Sequence, residues 1–328
     1  MVTVVAALLA AALVAAGSSS GNSAPAPAAS VPPGIPGIFD KVSPSVVTIV
    51  TDSGLGSGVV WSNNGTIVTA DHVVAGSSRV QIELANGKLL DGTVRAEDPI
   101  TDLAVVTAAS TALRAATFAK TLPEVGELAI AIGSPLGFAN TASVGIVSAL
   151  QRALPGDPGQ SPTLLNLLQT DAGISPGDSG GALVDSRGQV IGINEAYIPP
   201  SDGAVLIGFA TPATTVDTIV RQLLDHGRAT HAYFGAQLGD PSSDGAQPGS
   251  VGVDEGMVVL AVAPGGPAAN AGLQPGDVIE TLGATPVPST VSFVTALRSR
   301  KPGTAVRVTF VRGTTELTTT VTLIEQPV

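Results

Sequence analysis

Residues 177–181 read Gly-Asp-Ser-Gly-Gly, and they stand directly before an apolar run, Ala182-Leu183-Val184. A serine hydroxyl that attacks a carbonyl must be exposed on a tight turn whose backbone lets a substrate approach. Glycine permits such a turn because it has no Cβ. The same turn can direct the amides of Gly177 and Ser179 at one point, as the stabilisation of an oxyanion requires. The pentapeptide therefore predicts a nucleophile, Ser179, and an oxyanion hole formed by Gly177, Asp178 and Ser179.

A serine nucleophile needs a base at neutral pH, and a histidine held by a third group is the usual one. The chain has three histidines. His226 and His231 fall in one stretch that is typical of a helix end and a linker, whereas His72 follows an apolar predicted strand. Asp102 directly precedes another apolar strand and is the best candidate for the orienting acid. We predict that His72, Asp102 and Ser179 form a catalytic triad contributed by three different strand ends.

Five segments of the chain resemble the HtrA family of trypsin-like serine proteases. They are Ile67–Val74, Thr101–Val105, Ala131–Gly137, Gln169–Ala172 and Val190–Asn194. The resemblance runs from about Val42 to the end of the chain and includes a C-terminal segment similar to a PDZ domain. It implies the same triad as the local contexts do, and it implies a homotrimer built through the protease domain.

Two positions depart from the usual pattern of that family. Asp178 precedes the serine where the family usually has Asn, and Asp71 precedes the histidine where Asn or Ala is commoner. A carboxylate beside an imidazole favours the charged imidazolium and so raises its pKa. We therefore expect Asp71 to shift the pH dependence of His72 without changing the reaction class.

Two further acids lie near these motifs. Asp98 precedes Pro99 and is predicted to belong to a turn, and Asp171 is predicted to bond to backbone in the loop before the nucleophile. Asp178 is interpreted either as an anion that needs a partner beside the site or as a solvated turn carboxylate.

Short runs rich in Val, Ile and Thr, separated by Gly, Asn or Asp turns, indicate about a dozen strands between Ser45 and Ala210. This pattern predicts a mostly β fold, and the resemblance implies a chymotrypsin-like double six-stranded β-barrel. We predict a trypsin-like serine protease domain over 38–228 and a small α+β PDZ domain over 229–328. A helix that begins after Thr211-Pro212 is predicted to close the protease domain. Its apolar face would consist of Val216, Ile219, Val220, Leu223 and Leu224.

In the double-barrel fold that the resemblance implies, the floor of the substrate pocket comes partly from Gly173, with walls from Ile193, Asn194, Phe209 and Ala210. Because no acid stands at Gly173, cleavage after Lys or Arg is not expected. A small or medium aliphatic residue before the scissile bond is predicted instead. A hydrophobic pocket discriminates one methylene by about 1–3 kcal/mol, which predicts broad specificity on unfolded chains.

From about Ala232 the pattern changes. The segment Tyr233-Phe234-Gly235-Ala236 resembles the carboxylate-binding loop of a PDZ domain, and a predicted helix, Ser289–Arg298, carries Val291 and Val294 on one face. A PDZ module adds the C-terminal residues of a ligand as an extra strand and holds the terminal carboxylate on backbone amides. We predict that these residues bind C-terminal peptides in a groove. The alternative is a small α+β domain that packs on the protease and binds nothing.

Composition excludes several classes of function. Acids outnumber Lys plus Arg by 26 to 15, for a net charge of −11. Nucleic-acid binding calls for a basic patch, so we predict no nucleic-acid partner. The chain has no cysteine, and no His-x-x-x-His spacing occurs. We therefore predict no disulfide, no metal and no cofactor.

The start of the chain has the character of a targeting signal. Val2–Ala16 is apolar apart from Thr3 and carries no charge. The run is short for a membrane span, which needs about 20 residues, and it suits the core of a signal peptide. Because the first cation is Lys41, we expect either a start further upstream or a clipped spanning segment. We predict a signal peptide or membrane anchor over 1–16 and a linker rich in Ala, Ser, Pro and Gly over 17–37.

These features predict an extracytoplasmic protein of a bacterial cell envelope, secreted or tethered to the membrane through residues 2–16. Its predicted function is that of a serine endopeptidase that hydrolyses unfolded or exported proteins through a Ser-His-Asp acyl-enzyme mechanism. The PDZ domain would recruit substrates or regulate the protease. Two alternatives stay open: a signalling protease that cuts one membrane partner, and a non-hydrolytic chaperone or scaffold of the same fold.

Overall fold

The computed structural model describes residues 34–52, 54–110, 113–134, 140–154, 163–198, 206–239 and 256–327. The predicted apolar segment 1–16 lies outside this part of the chain, as does the predicted linker up to residue 33. Helix α1, Ile35–Val42, then begins with a proline in its first turn and buries Ile38 and Val42. The last residues of the predicted linker are therefore helical. Among the described residues, no helix combines the length and the apolar character needed to cross a membrane.

The first β-barrel is closed and lies directly after α1. In sequence order its strands are β1 Val46–Thr51, β2 Gly54–Val60, β3 Thr66–Thr69, β4 Arg79–Glu83, β5 Leu89–Asp98 and β6 Leu103–Ala108. They pair around the barrel in the order β1-β2-β3-β6-β5-β4. Fully buried Ile49, Ile67 and Ile82 pack together in its interior, as β-branched side chains do on a pleated surface. The short helix α2, Asp71–Val74, follows β3.

The second barrel repeats this architecture. Its strands are β7 Leu128–Gly133, β8 Thr141–Leu154, β9 Leu164–Thr170, β10 Ala182–Val184, β11 Val190–Tyr197 and β12 Gly208–Pro212. They pair in the order β10-β11-β12-β9-β8-β7. The predicted mostly β, double-barrel fold is confirmed. Asp98 ends strand β5, and its carbonyl accepts a bond from the amide of Thr101 at 3.3 Å, so it is also the first residue of the predicted turn.

Helix α3, Ala213–His226, follows β12 and contacts β5, β6 and β11. It buries the predicted apolar face with one exception: Leu224 is 37% exposed. Leu224 follows the buried Leu223 by one residue, which turns its side chain about 100° away around the helix axis. The helix ends at Gly227, whose φ of 71° is the left-handed conformation of a common C-terminal cap.

The C-terminal domain is a small α+β unit with its own core, in which Phe234 packs edge-on against Phe293 with ring centroids 5.0 Å apart. Its main sheet has the order β14-β15-β16-β18-β19, so β14 is an edge strand among the strands that the structure describes. The strands are β13 Ala232–Tyr233, β14 Ala236–Gly239, β15 Met257–Val262, β16 Val278–Leu282, β17 Thr285–Pro286, β18 Ala305–Arg312, β19 Thr315–Thr322 and β20 Ile324–Glu325, and the helices are α4 Pro267–Asn270 and α5 Thr290–Arg298.

Candidate active site

His72 and Asp102 form a hydrogen-bonded pair at the edge of the first barrel. The Nδ1 atom of His72 lies 2.6 Å from Oδ2 of Asp102, and the main-chain amide of His72 donates to Oδ1 of the same carboxylate at 2.8 Å. Asp102 has a φ of 54°, a left-handed conformation that Asp adopts more readily than most residues. This conformation turns its carboxylate toward α2, and its carbonyl accepts a bond from the amide of Asp71 at 3.1 Å.

The pair sets the ionisation of both partners. Burial alone would lower the pKa of His72, but the hydrogen bond and the negative charge of Asp102 outweigh it, so this pKa lies above its ordinary value. Burial alone would raise the pKa of Asp102, but the bonds from His72 reverse that effect and lower it. Asp102 is therefore the anion of the pair, as the orienting acid of a triad must be.

Ser179 lies where the nucleophile loop meets both barrels. Its carbonyl accepts a bond from the amide of Ser57, on β2, at 2.8 Å. Its hydroxyl donates to the main-chain carbonyl of Glu195, on β11, at 2.7 Å. A Cβ on Gly180, whose φ is 82°, would lie 2.2 Å from the carbonyl of Ser57. Glycine is therefore required at 180, because any side chain there would push the loop off the first barrel.

One residue joins Ser179 to the histidine pair. While the carbonyl of Glu195 accepts the Ser179 hydroxyl, its carboxylate lies with ligand atoms of His72 and Asp102 in one group, all within 4.8 Å of one another. The structure thus brings the three predicted triad residues into one site. Among the described residues, the hydrogen bond of the Ser179 hydroxyl goes to Glu195 and none joins it to His72.

The loop also presents two free amides. Ser57 Oγ holds the carbonyl of Gly177 at 2.7 Å, and the amide of Asp178 donates to the carbonyl of Ser175 at 2.9 Å. The amides of Gly177 and Ser179 donate to no acceptor in the described part of the chain. These two amides are therefore available to an oxyanion, whereas the amide of Asp178, the third predicted member of the oxyanion hole, is already bonded to Ser175.

Asp178 is buried beneath this loop, so the interpretation as a solvated carboxylate was wrong. Its Oδ2 accepts a bond from the amide of Ser175 at 2.9 Å. Burial raises the pKa of Asp178 to about 6, although the Ser175 bond opposes the shift. The folded protein consequently binds this proton more tightly than the unfolded chain does.

This difference predicts a pH-dependent stability. Because the pKa of Asp178 rises from 3.8 to about 6 on folding, its contribution to the free energy of unfolding falls between these pH values and is constant above them. Two pH units correspond to about 3 kcal/mol. The Asp178→Asn variant lacks this pH dependence. Its free energy of unfolding relative to that of the parent should therefore increase by about that amount from pH 4 to pH 6. Urea unfolding of both proteins in a Ser179→Ala background, which prevents self-digestion, measures it. Parallel pH curves would contradict the assignment.

Asp71 is buried beside His72, and its Oδ1 atom has no hydrogen-bond partner in the described part of the chain. Burial, followed by the negative charges of Glu97, Asp102 and Asp98, raises the pKa of Asp71 to about 7. Its charge contributes to the raised pKa of His72, after the larger effects of Asp102. The direction agrees with the expectation for this position.

The predicted pocket residues do not all face one cavity. Ile193 and Ala210 are fully buried in the core of the second barrel, and Phe209 packs in a separate cluster with Leu164 and Leu167. Asn194 is also buried, and its Nδ2 atom donates to the carbonyl of Ala182 at 3.3 Å.

A side chain could start at Gly173 without a clash. A Cβ there would meet Ser143 Cβ at 3.7 Å and Leu206 Cδ2 at 3.8 Å, which are ordinary contacts. Leu206 is 59% exposed and was not among the predicted pocket residues. No sequence signal pointed to Leu206, because it stands outside the predicted strands.

The group formed by His72, Asp102 and Glu195 has the ligand types and spacing of a metal site. Nδ1 of His72 and Oδ2 of Asp102 are, however, bonded to each other. Each therefore already has its partner, and Glu195 places a second carboxyl group beside Asp102. Sequence reasoning missed Glu195, whose one signal was an acid inside an apolar strand.

In the C-terminal domain, the predicted carboxylate-binding loop lies between β13 and the edge strand β14. The carbonyls of Phe234 and Gly235 accept bonds from Ala268 and Ala263, both at 2.9 Å. The amides of Phe234 and Gly235 donate to no acceptor among the described residues. Gly235 has a φ of 79°, and a Cβ on it would lie 2.8 Å from Pro267. The loop thus turns its carbonyls inward and leaves amides for a ligand.

The other predicted groove residues are placed as follows. Tyr233 is half-buried on β13, and Ala236 is the first residue of β14. Val291 and Val294 lie half-buried on α5, and Val294 packs against the domain core. Ser289 caps this helix by accepting a bond from the amide of Ser292 at 3.2 Å.

The two domains contact each other next to Asp102. His231, in the linker, bonds through Nε2 to both carboxylate oxygens of Asp98, at 2.9 and 3.0 Å, and both side chains are buried. The hydroxyl of Thr101 donates to the same carboxylate. Asp98 therefore fixes the turn that leads to Asp102.

Helix α5 adds a second contact to that turn. It packs against β8 and β9 of the second barrel. The guanidinium of Arg298, near its end, donates to the carbonyl of Leu165 at 3.3 Å and to that of Ile100 at 3.4 Å. Burial lowers the pKa of Arg298, and the negative charge of Asp98 partly compensates. We call the contacts of His231 and Arg298 with this turn the interdomain clasp.

Comparison with known proteins agrees with this architecture. Residues 56–193 match the family model of the trypsin-like peptidase domain, and residues 233–323 match that of the PDZ domain. The serine protease Do-like HtrA of Lactococcus lactis is 41% identical over 288 residues, which are 82% of this chain and 70% of the relative. The periplasmic pH-dependent serine endoprotease DegQ of Escherichia coli is 35% identical over 273 residues, which are 82% of this chain and 59% of that protein.

A solved structure of the HtrA-type protease AlgW with a tripeptide has a TM-score of 0.77 and 31% sequence identity, covering 90% of this chain and 98% of that one. The putative serine protease HhoB of Synechocystis is matched over 57% of its length, so this chain spans little more than half of some curated relatives. A domain pair, a site geometry and a set of relatives thus agree, and the chain belongs to the HtrA family of serine proteases.

Proposed function

We propose that this chain is a serine endopeptidase that works by acyl transfer to water. His72 takes the proton of Ser179 as the hydroxyl oxygen attacks the scissile carbonyl, and Asp102 holds the imidazole. The amides of Gly177 and Ser179 stabilise the oxyanion. His72 then gives the proton to the leaving amine, and a water activated in the same way hydrolyses the acyl-enzyme.

One observation carries this proposal: His72 is bonded through Nδ1 to Asp102 at 2.6 Å, while Glu195 lies beside this pair with ligand atoms within 4.8 Å and accepts the Ser179 hydroxyl. Without substrate, the Ser179 hydroxyl is bonded to the Glu195 carbonyl. Rotation of its side chain about χ1 redirects the hydroxyl toward His72, and catalytic hydrogen bonds commonly tighten only when substrate is bound.

A fluorophosphonate probe tests the proposal because it reacts covalently with an activated serine. We expect labelling of the full chain at Ser179 and loss of labelling in Ser179→Ala and His72→Ala. A chain that stays unlabelled, even with C-terminal peptides added, would instead be the scaffold alternative. That alternative is not favoured, because the pair, the free amides and the serine are all in place.

The C-terminal domain is proposed to bind C-terminal peptides. The free edge of β14 can accept an extra strand, and the free amides of Phe234 and Gly235 lie at the end of that strand. Helix α5, which borders the proposed groove, also holds the turn before Asp102 through Arg298. Peptide binding can therefore act on the protease as well as recruit substrates.

The absence of an acid at Gly173, where an added Cβ would make only ordinary contacts, predicts which residue the protease prefers before the scissile bond. Peptides with Val, Ala or Leu before the scissile bond should have kcat/KM values about tenfold or more above those of matched Arg peptides. Gly173→Asp should raise the relative rate on Arg peptides, since the added Cβ fits and the carboxylate would face the substrate. Gly173→Ala is the matched control without charge. A wild-type preference for Arg would contradict the prediction.

We also propose where the protein acts, which chains it cleaves and how its subunits assemble. The protein acts outside the cytoplasm on unfolded or exported chains, as the name of its periplasmic relative DegQ suggests. Residues 2–16 direct export or tether it to the membrane, and the protease domains assemble as a homotrimer. Light scattering of the purified protein and fractionation of cells that express the full chain measure these properties. Casein degradation compared with cleavage of one defined membrane partner separates a quality-control protease from a signalling one.

A further inference from the structure

Glu195 stands at an irregular point of β11. Asn194 pairs with Ala210 and Ala196 pairs with Phe209, so Glu195 is the extra residue of a β-bulge. A bulge breaks the alternation of side chains and aims one of them in a direction that a regular strand would not allow. Here the bulge directs a glutamate into the protein interior, where its exposure is 1%.

Glu195 reaches the active site through both its main chain and its carboxyl group. Its main-chain carbonyl accepts the Ser179 hydroxyl at 2.7 Å. Its carboxyl group lies beside Asp102 and His72, within the group whose ligand atoms are all within 4.8 Å of one another. Neither carboxyl oxygen makes a hydrogen bond with the described residues, although the hydroxyl of Thr211, on β12, lies near enough to oppose the rise in the pKa of Glu195. Glu195 is thus a completely buried acid whose negative charge is not stabilised by a full hydrogen bond in the described part of the chain.

A buried carboxylate without donors or a cation is strongly unfavourable. The ionisable groups that face Glu195 are Asp102, on the turn after β5, and Asp71 and His72, on α2. Asp102 is an anion already bonded to His72, and Asp71 adds a further acid. A neutral carboxyl group, in contrast, has one O–H to donate, and Asp102 is an acceptor within reach.

We propose that Glu195 is a positioning residue, held as a neutral carboxylic acid that donates its proton to the carboxylate of Asp102. The triad then has a fourth member, which fixes the acid that orients His72 while its own main-chain carbonyl holds the nucleophile. This role rests on the proposed protease function.

The electrostatics agree with this location of the proton. Burial, followed by the negative charge of Asp102, raises the pKa of Glu195 well above its usual range. Burial acts on Asp102 in the same sense, but the bonds from His72 reverse it and lower the pKa of Asp102. When the pKa values of two neighbouring carboxyl groups are shifted in opposite directions in this way, one group stays a neutral acid and the other is an anion.

Two substitutions in the full chain separate the hydrogen bond from packing. Glu195→Gln keeps a donor of the same shape, whereas Glu195→Met has a similar size and no donor. We expect Glu195→Met to lower kcat about 10- to 100-fold with little change in KM, since a hydrogen bond to a charged group is lost. Glu195→Gln should retain clearly more activity. Equal losses in both variants, or a fully active Glu195→Met, would overturn the proposal.

A second measurement does not depend on hydrolysis. In the Ser179→Ala background, the unfolded chain loses the Glu195 proton above about pH 4.5 and the folded chain keeps it. Stability must therefore fall with rising pH, and Glu195→Gln must remove that part of the slope. Asp71 and Asp178 are present in both proteins, so their contributions cancel. The difference in Tm between the two should grow from pH 5 to pH 8, and a constant difference contradicts a neutral Glu195.

Infrared difference spectra complete the test. We expect a carboxylic-acid C=O band at neutral pH that Glu195→Gln lacks, and its absence would overturn the assignment. Activity of the wild type should be unaffected by EDTA. Inhibition by EDTA that Zn²⁺ reverses would instead mean that a cation joins the three side chains. Because the stability and infrared readouts use an inactive serine variant, failure of this proposal can be told apart from failure of the protease function.

Discussion

Replacement of Ser179 by alanine is expected to lower kcat for peptide hydrolysis by about 10⁶-fold. The change removes the atom that forms the acyl-enzyme, and the loss corresponds to about 8 kcal/mol of transition-state stabilisation. The free amides of Gly177 and Ser179 stay in place, so a residual rate about 10³- to 10⁴-fold above that of water should persist. Hydrolysis of a chromogenic peptide by the purified full chain measures the effect.

The variant should fold normally, because Ser179 loses a single side-chain hydrogen bond, to the carbonyl of Glu195. Ser62→Ala, which removes a half-buried hydroxyl that donates to Asn64 after strand β2, is the matched control and should keep full activity. Retention of more than about one per cent of activity in Ser179→Ala would place the nucleophile elsewhere.

The second largest effect is expected for Asp102→Asn, which should lower kcat by about 10⁴-fold. The asparagine amide would donate to Nδ1 of His72 where the carboxylate now accepts. The imidazole would then carry its proton on Nε2 and could not take the proton of Ser179. Because asparagine also tolerates the left-handed φ of 54° at this position, the turn should keep its shape.

A comparison of kcat between wild type and Asp102→Asn, with circular dichroism to verify folding, tests this prediction. Asp217→Asn is the matched control. Asp217 lies on helix α3 and pairs with Lys120 and Arg221 at the surface, so its loss should leave kcat unchanged. If both variants had equal activity, the His72–Asp102 bond would have no catalytic role.

The triad could be predicted because each member stands in a local context that the chemistry itself requires. Ser179 needs glycines around it, and His72 and Asp102 each border an apolar strand. Strand β5 was harder to recognise because its residues alternate between exposed and buried and include Gly92 and several charges. The hydrogen-bonded pairing with β4 and β6, rather than the local preference of its own residues, holds β5 in the barrel.

Glu195 shows what a one-dimensional pattern leaves out. In a regular strand, the alternation of residues predicts which face of the sheet each side chain points to. The β-bulge at Glu195 breaks this alternation and changes the direction of its side chain. The partner that gives Glu195 its meaning, Asp102, lies 93 positions earlier and in the other barrel. The pocket residues raised the same difficulty, because Ile193 and Ala210 turn into the core while Leu206 stands beside Gly173.

The interdomain clasp makes this polypeptide difficult to divide. A truncation after helix α3 would remove the imidazole that Asp98 binds and the guanidinium that holds the carbonyl of Ile100. Water would then reach a carboxylate that is now sealed, four positions before the orienting acid. An isolated protease fragment is therefore a different enzyme rather than the same one with its regulator missing. Its kinetics would reflect an Asp102 that is held less firmly, even in the absence of any bound peptide.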